Sequence, residues 1–77
     1  MNEIIEINGS LLRAKRKQVK MTQDQIAQRL SMTAGGFSHR ETGQTPFAPW
    51  EIVAIAKILK LSIKDINDIW FGGKLPL

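Results

Sequence analysis

Ile26, Ala27 and Leu30 fall at helical spacing along one stretch of the chain, with polar residues between and around them. Thr22 stands where an N-cap belongs. Ser31-Met32-Thr33 breaks the pattern, Thr33 is placed to cap a second helix over Ala34 to Glu41, and Gly43 is placed to end it. Thr22 to Gly43 therefore predicts two short helices joined by a tight turn, and the rest of the chain is arranged around that pair.

Upstream, Asn8 is the expected N-cap of a first helix running to about Val19, with Leu11, Leu12, Arg16 and Val19 along its inner side. Ile5 and Ile7 alternate about Glu6, a short strand signal; the other reading is that Ile7 anchors the start of the first helix on the core. Downstream, residues 44–48 read as a loop, and Pro49 suits the first position of a fourth helix reaching about Leu59. Ile52, Val53, Ile55, Ala56 and Leu59 make that helix apolar over a wide arc, so it is expected to be the central, most buried one. Ser62 and Asp65 resemble a capping box with Asp in place of Glu or Gln. A fifth helix follows over about Ile63 to Trp70, with Ile63, Ile66, Ile69 and Trp70 apolar, and Gly72-Gly73 stops it. The pattern predicts an all-α fold, a compact five-helix bundle: residues 1–7 an N-terminal arm, 8–71 the helix-turn-helix domain and 72–77 a C-terminal tail. No internal repeat stands out.

Composition narrows the class. Seventy-seven residues make one small domain with a modest core. There is no Cys, so no disulfide framework and no thiolate metal site. The N-terminus carries Glu3 and Glu6 where a signal peptide needs bases. The longest apolar stretch, Ile52 to Ala56, is too short to span a bilayer. The expectation is a soluble, cytoplasmic protein. Net charge is +4, and between Ile7 and Gln23 stand Arg13, Lys15, Arg16, Lys17 and Lys20 with no acid. Such a patch beside a helix-turn-helix suits a phosphate backbone; an ordinary solvated helix face is the bland alternative. On the second helix of the pair, Ala34, Gly35, Ser38, His39 and Thr42 share one side, while Gly36, Phe37 and Arg40 point roughly the other way. Phe37 is then the core anchor, and the first side is left to meet a partner.

Thr22-Gln23, Ile26-Ala27, Met32-Thr33, Phe37-Ser38, Glu41 and Gly43, together with Arg16 and the block Ala56 to Ser62, resemble the DNA-binding domain of the phage repressor/Cro family, the XRE-like helix-turn-helix regulators. The likeness covers roughly residues 8–70 and implies the lambda repressor-like fold with the third helix in the DNA major groove. It implies base-reading positions at Ala34, Gly35, Ser38 and His39. It implies a phosphate contact at Gln23, aided by the N-terminus of its helix, and an ion pair between Arg16 and Glu41 that fixes the third helix on the first. Thr33, Thr42, Gln44, Arg13, Lys17, Lys20, Arg29 and Arg40 are the further phosphate candidates. Three residues depart from the family pattern. Ser31 replaces the usual turn Gly, Arg40 stands at a usually apolar position, and Gly35 has no side chain to read a base. Gly36, facing inward, is expected to let the third helix pack tightly on the second.

The leading expectation is a sequence-specific, double-stranded-DNA-binding transcriptional regulator, of the kind of a stand-alone phage or prophage Cro-like repressor. It would act as a homodimer on a palindromic operator, since one recognition helix spans few base pairs. Trp70, Phe71, Leu75 and Leu77 are the first choice for the dimer surface, and Ile4, Ile5 and Ile7 the second. An antitoxin or other protein-binding module of the same fold is the alternative from a different class, and a restriction–modification controller protein is similar in size and fold. An enzyme is not expected: a single His, no Cys and no phosphate-loop glycine pattern offer nothing to catalyse with. The reading calls for no cofactor, no metal, no small-molecule substrate and no membrane.

Overall fold

Hydroxyl and amide side chains set where the helices start. The computed structural model describes residues 6–77, and among them it has five helices and no strand: α1 (Gly9–Gln18), α2 (Gln23–Arg29), α3 (Ala34–Glu41), α4 (Pro49–Ile58) and α5 (Ile63–Trp70). Asn8 Oδ1 accepts the Leu11 N–H, and Thr33 Oγ1 accepts that of Gly36. Thr22 with Gln25, and Ser62 with Asp65, close reciprocal capping boxes, so Asp does serve in place of Glu. The Ser62 N–H on the Asp65 carboxylate, seconded by the Ser62 hydroxyl and Lys15, holds that carboxyl below its ordinary range. α4 starts on Pro49 and has no capping hydroxyl; Glu51 instead reaches back to the Ala48 N–H at 2.7 Å. The strand signal at Ile5, and Ile4 beside it, lie outside the described residues. Ile7 is half-buried against the core, which gives α1 its anchor.

One turn is used three times. After α1, α2 and α4 the chain passes through an apolar C-cap (Val19, Leu30, Leu59), then a left-handed residue, then an apolar residue, then a hydroxyl N-cap. The left-handed residues are Lys20 (φ 57°), Ser31 (φ 56°) and Lys60 (φ 54°). Each turn closes with the same two bonds: Met21 N–H to Arg16 O with Lys20 N–H to Lys17 O, Met32 to Ala27 with Ser31 to Gln28, and Leu61 to Ala56 with Lys60 to Lys57. Met21, Met32 and Leu61 then tuck onto the core. The repeat is visible in the sequence as Lys-Met-Thr, Ser-Met-Thr and Lys-Leu-Ser, and reading by helix period alone passes over it. α3 ends the same way with Gly43 at φ 88°, where no Cβ is strained. Lys20, Ser31 and Lys60 each hold a side chain in a conformation that costs roughly 1–2 kcal/mol. Changing any one of them to Gly is expected to raise stability by about 1 kcal/mol, or about 4–8 °C in Tm. The three gains should nearly add, because the turns are separate. Thermal melts of the singles and the triple check this; unchanged Tm in all four would show that the strain is relieved elsewhere.

The core consists of Leu12, Ile26, Ala27, Leu30, Phe37, Ile55, Leu59 and Ile69. Each helix buries two residues, α2 and α3 pack most closely on each other, and the expectation that α4 is the central, most buried helix is overturned. Trp50 and Val53 of α4 are 59% and 55% exposed, and only Glu51 and Ile55 of that helix are buried. An apolar arc wider than the core can cover leaves one side in water. Val19 is exposed because it has become the cap beyond α1, and Ile63 because it opens α5. An aromatic relay links α3 to α5 through the loop before α4. Phe37 and Phe47 meet edge-on at 5.9 Å, and Phe47 and Trp70 at 5.8 Å. Trp70 thus packs on its own core, and Phe71 is half-buried. The buried Asn67 bonds the Leu75 N–H at 3.0 Å, folding the tail back over α5. Leu75 and Leu77 remain the exposed apolar residues there. No helix among the described residues is long and apolar enough to cross a membrane.

Candidate nucleic-acid interface

α3 has two distinct sides. Phe37 and Glu41 are buried on the inner one. On the outer one Gly35, His39 and Thr42 are exposed and Ala34 and Ser38 half-buried. Ala34, Ser38 and Thr42 form one wall of a cleft of about 890 Å³. The start of α1 (Gly9, Ser10, Arg13) and the start of α2 (Thr22, Gln23, Asp24) complete it, with Arg16 and Glu41 at its base. Of the sequence-predicted site residues, this cleft brings together Arg13, Gln23, Ala34, Ser38 and Thr42. Gly35 and His39 lie outside it on the same side of α3, and Thr33, Gln44, Lys17, Lys20 and Arg29 are exposed beyond its lining.

The base of the cleft is a buried network. Arg16 Nε donates to Glu41 Oε2 at 3.0 Å and Nη2 to Oε1 at 3.2 Å, a two-pronged pair in which both residues are nearly water-free. Its third nitrogen, Nη1, donates to the Met21 carbonyl at 2.9 Å, inside the α1–α2 turn. Gln23 Nε2 donates to the same Glu41 Oε1 at 3.0 Å. The carboxylate thus fastens α1, α2 and α3 to one another, and it keeps an acid at the negative end of α3 in company that offsets the helix dipole. The Gln23 side chain, expected on a phosphate, lines the cleft with one amide N–H donated to Glu41. The Thr42 hydroxyl donates to the Ser38 carbonyl at 3.0 Å, and Gln44 Nε2 donates to Thr42 Oγ1 at 3.2 Å.

Arg40, expected to snorkel toward a phosphate, is half-buried and engaged with α4 and with its own helix. Its Nε pairs with the buried Glu51 of α4 at 3.3 Å, and Nη1 donates to the Gly36 carbonyl at 2.9 Å. A second ion pair therefore fastens α3 to α4, which is why a usually apolar position accommodates Arg. Gly36 serves this arrangement rather than contact with α2: a Cβ there would meet the Thr33 hydroxyl oxygen, Arg40 Nη1 and Met32. The basic patch divides likewise. Arg16 is buried and Lys15 pairs with Asp65 of α5 at 3.3 Å, while Arg13, Lys17 and Lys20 are exposed.

Two residues of this arrangement escape the sequence reading. Glu51 carries no motif; only its place three residues after the N-cap of α4 marks it, as a capping acid. Gly9 carries a tertiary signal alone. A Cβ at residue 9 would run into the carbonyl oxygen of Glu41, so the first turn of α1 passes directly over the end of α3.

The profile of a family described as a helix-turn-helix domain matches residues 9–68. That span takes in all of α1 to α4 and most of α5. No curated protein and no solved structure matches the chain.

Proposed function

The chain belongs to the helix-turn-helix domain family, and from that membership we propose that it is a sequence-specific regulator that binds double-stranded operator DNA with α3 in the major groove. The observation that carries this reading is the two-sidedness of α3. Buried ion pairs to Arg16 and Glu51 fix its inner side, and Ala34, Gly35, Ser38, His39 and Thr42 are left on the outer one. Ser38 and His39 read base edges, and Ala34 offers a methyl to thymine. Gln23 at the start of α2, Thr33, Thr42 and Gln44 hold phosphates by hydrogen bonds, and Arg13, Lys17, Lys20 and Arg29 by charge. The likeness to phage repressor/Cro proteins supports a cytoplasmic regulator of the Cro-like repressor kind; an antitoxin and a restriction–modification controller protein of the same fold share that likeness. Two copies on a palindrome would set their α3 helices about 34 Å apart, and the exposed Leu75 and Leu77 offer apolar area for the dimer contact.

Selection of duplexes from random sequence tests the reading. One palindromic site is expected to be enriched. Its affinity should fall by about 0.9 log units per log unit of salt for each phosphate neutralised, a slope of about −3.6 if Arg13, Lys17, Lys20 and Arg29 all engage. Failure to enrich any duplex, or affinity flat with salt, would overturn the proposal in favour of a protein-binding module of the same fold.

A further inference from the structure

Gly35 and Gly36 are adjacent but answer to different neighbours. Gly36 is accounted for within the chain. A Cβ there would press on Thr33 Oγ1 at 3.2 Å and on Arg40 Nη1 at 3.3 Å, which are the cap of α3 and the guanidinium that bonds the Gly36 carbonyl. A Cβ on Gly35 would meet nothing within 4 Å. Gly35 is exposed, helical, and not at positive φ. Neither packing nor backbone conformation asks for glycine there.

We infer that the backbone of α3 at Gly35 lies at contact distance from bound DNA, so that this residue sets specificity by the depth at which the helix sits and not by a side chain of its own. The inference rests on the DNA-binding reading above. Its physical basis is short range. A Cα–Cβ bond adds about 1.5 Å, and carbon atoms in contact stand about 3.5–4.0 Å apart. A methyl group at residue 35 would hold the helix off the groove floor by about an ångström. Hydrogen bonds from Ser38 and His39, the next residues along the same side, would then stretch past the roughly 3.2 Å at which they hold. Phosphate contacts at the groove edges, carried by flexible Arg and Lys, would follow the shift.

Gly35→Ala and Gly35→Leu, measured beside the wild-type chain, test this on a duplex that the wild type selects from random sequence and on a mixed-sequence duplex. Both variants should melt no lower than the wild type, because the site is open. Gly35→Ala should bind the selected duplex roughly ten- to a hundredfold more weakly and Gly35→Leu more weakly still. The mixed-sequence duplex should lose little, and the salt slope should stay unchanged. Gly35→Ala binding the selected duplex within twofold of wild type would overturn the inference while leaving the DNA reading intact. Equal losses on both duplexes with a shallower salt slope would also overturn it, since they would make residue 35 a phosphate neighbour. A wild type that selects no duplex would overturn both.

Discussion

Glu41→Ala is expected to destabilise the chain by about 3–5 kcal/mol. The carboxylate is 3% exposed and Arg16 6%, so removing it strips a nearly buried guanidinium of its counter-charge. Arg16 Nε and Nη2 and Gln23 Nε2 all lose their acceptor at once. The Arg16 bond to Met21 O is left to hold a charged head with nothing opposite it. Domains of this size have about 3–5 kcal/mol in total, so the variant should be largely unfolded at 37 °C by circular dichroism. Replacing both partners by apolar residues, Arg16→Met with Glu41→Met, should cost much less, because no charge is stranded. Urea denaturation of the singles and the double checks this. A loss below about 0.5 kcal/mol in Glu41→Ala would place the pair with ordinary surface ion pairs.

The parts of this arrangement that sequence made legible are the local ones. Thr22, Thr33 and Ser62 bond to backbone N–H groups three residues on, a relation contained in four consecutive residues, and the helix boundaries follow from it within one residue. Phe37 was legible because one aromatic stands on an otherwise small or polar helix. What the pattern misplaced depends on partners far along the chain. The apolar arc of α4 says that some side is buried, but the limited core decides that Trp50 and Val53 are not on it. Arg40 looks free until Glu51, eleven residues on, comes beneath it. The Arg16–Glu41 pair, twenty-five residues apart, was expected only because the chain resembles a known family; nothing in the spacing of the two residues requires it. The outer side of α3 was legible as a side, from its period, but which of the helix's two glycines has a neighbour is a matter of tertiary distance alone.

Gly9→Ala is expected to lower stability by about 2–3 kcal/mol, against the direction of helix propensity. Gly9 is the first residue of α1 and has no positive φ to explain its lack of a side chain. The obstacle is the carbonyl oxygen of Glu41, a backbone atom that cannot swing aside as a side chain would. Nor can α1 retreat freely, because the Asn8 N–H is bonded at 2.7 Å to the Ile69 carbonyl at the end of α5. The added methyl group must therefore either break that bond or lift α1 from α3. Lifting α1 draws Arg16, two turns further along, away from Glu41, so the same substitution loosens the network at the base of the cleft. DNA affinity should fall with stability in this variant, on selected and mixed-sequence duplexes alike, whereas Gly35→Ala should leave stability intact. Hydrogen exchange at the α1 amides, with thermal melts, checks the prediction: Gly9→Ala should speed exchange through α1 and lower Tm by about 8 °C or more. A variant that melts higher than the wild type would show that the crossing of α1 over α3 is loose enough to admit a side chain.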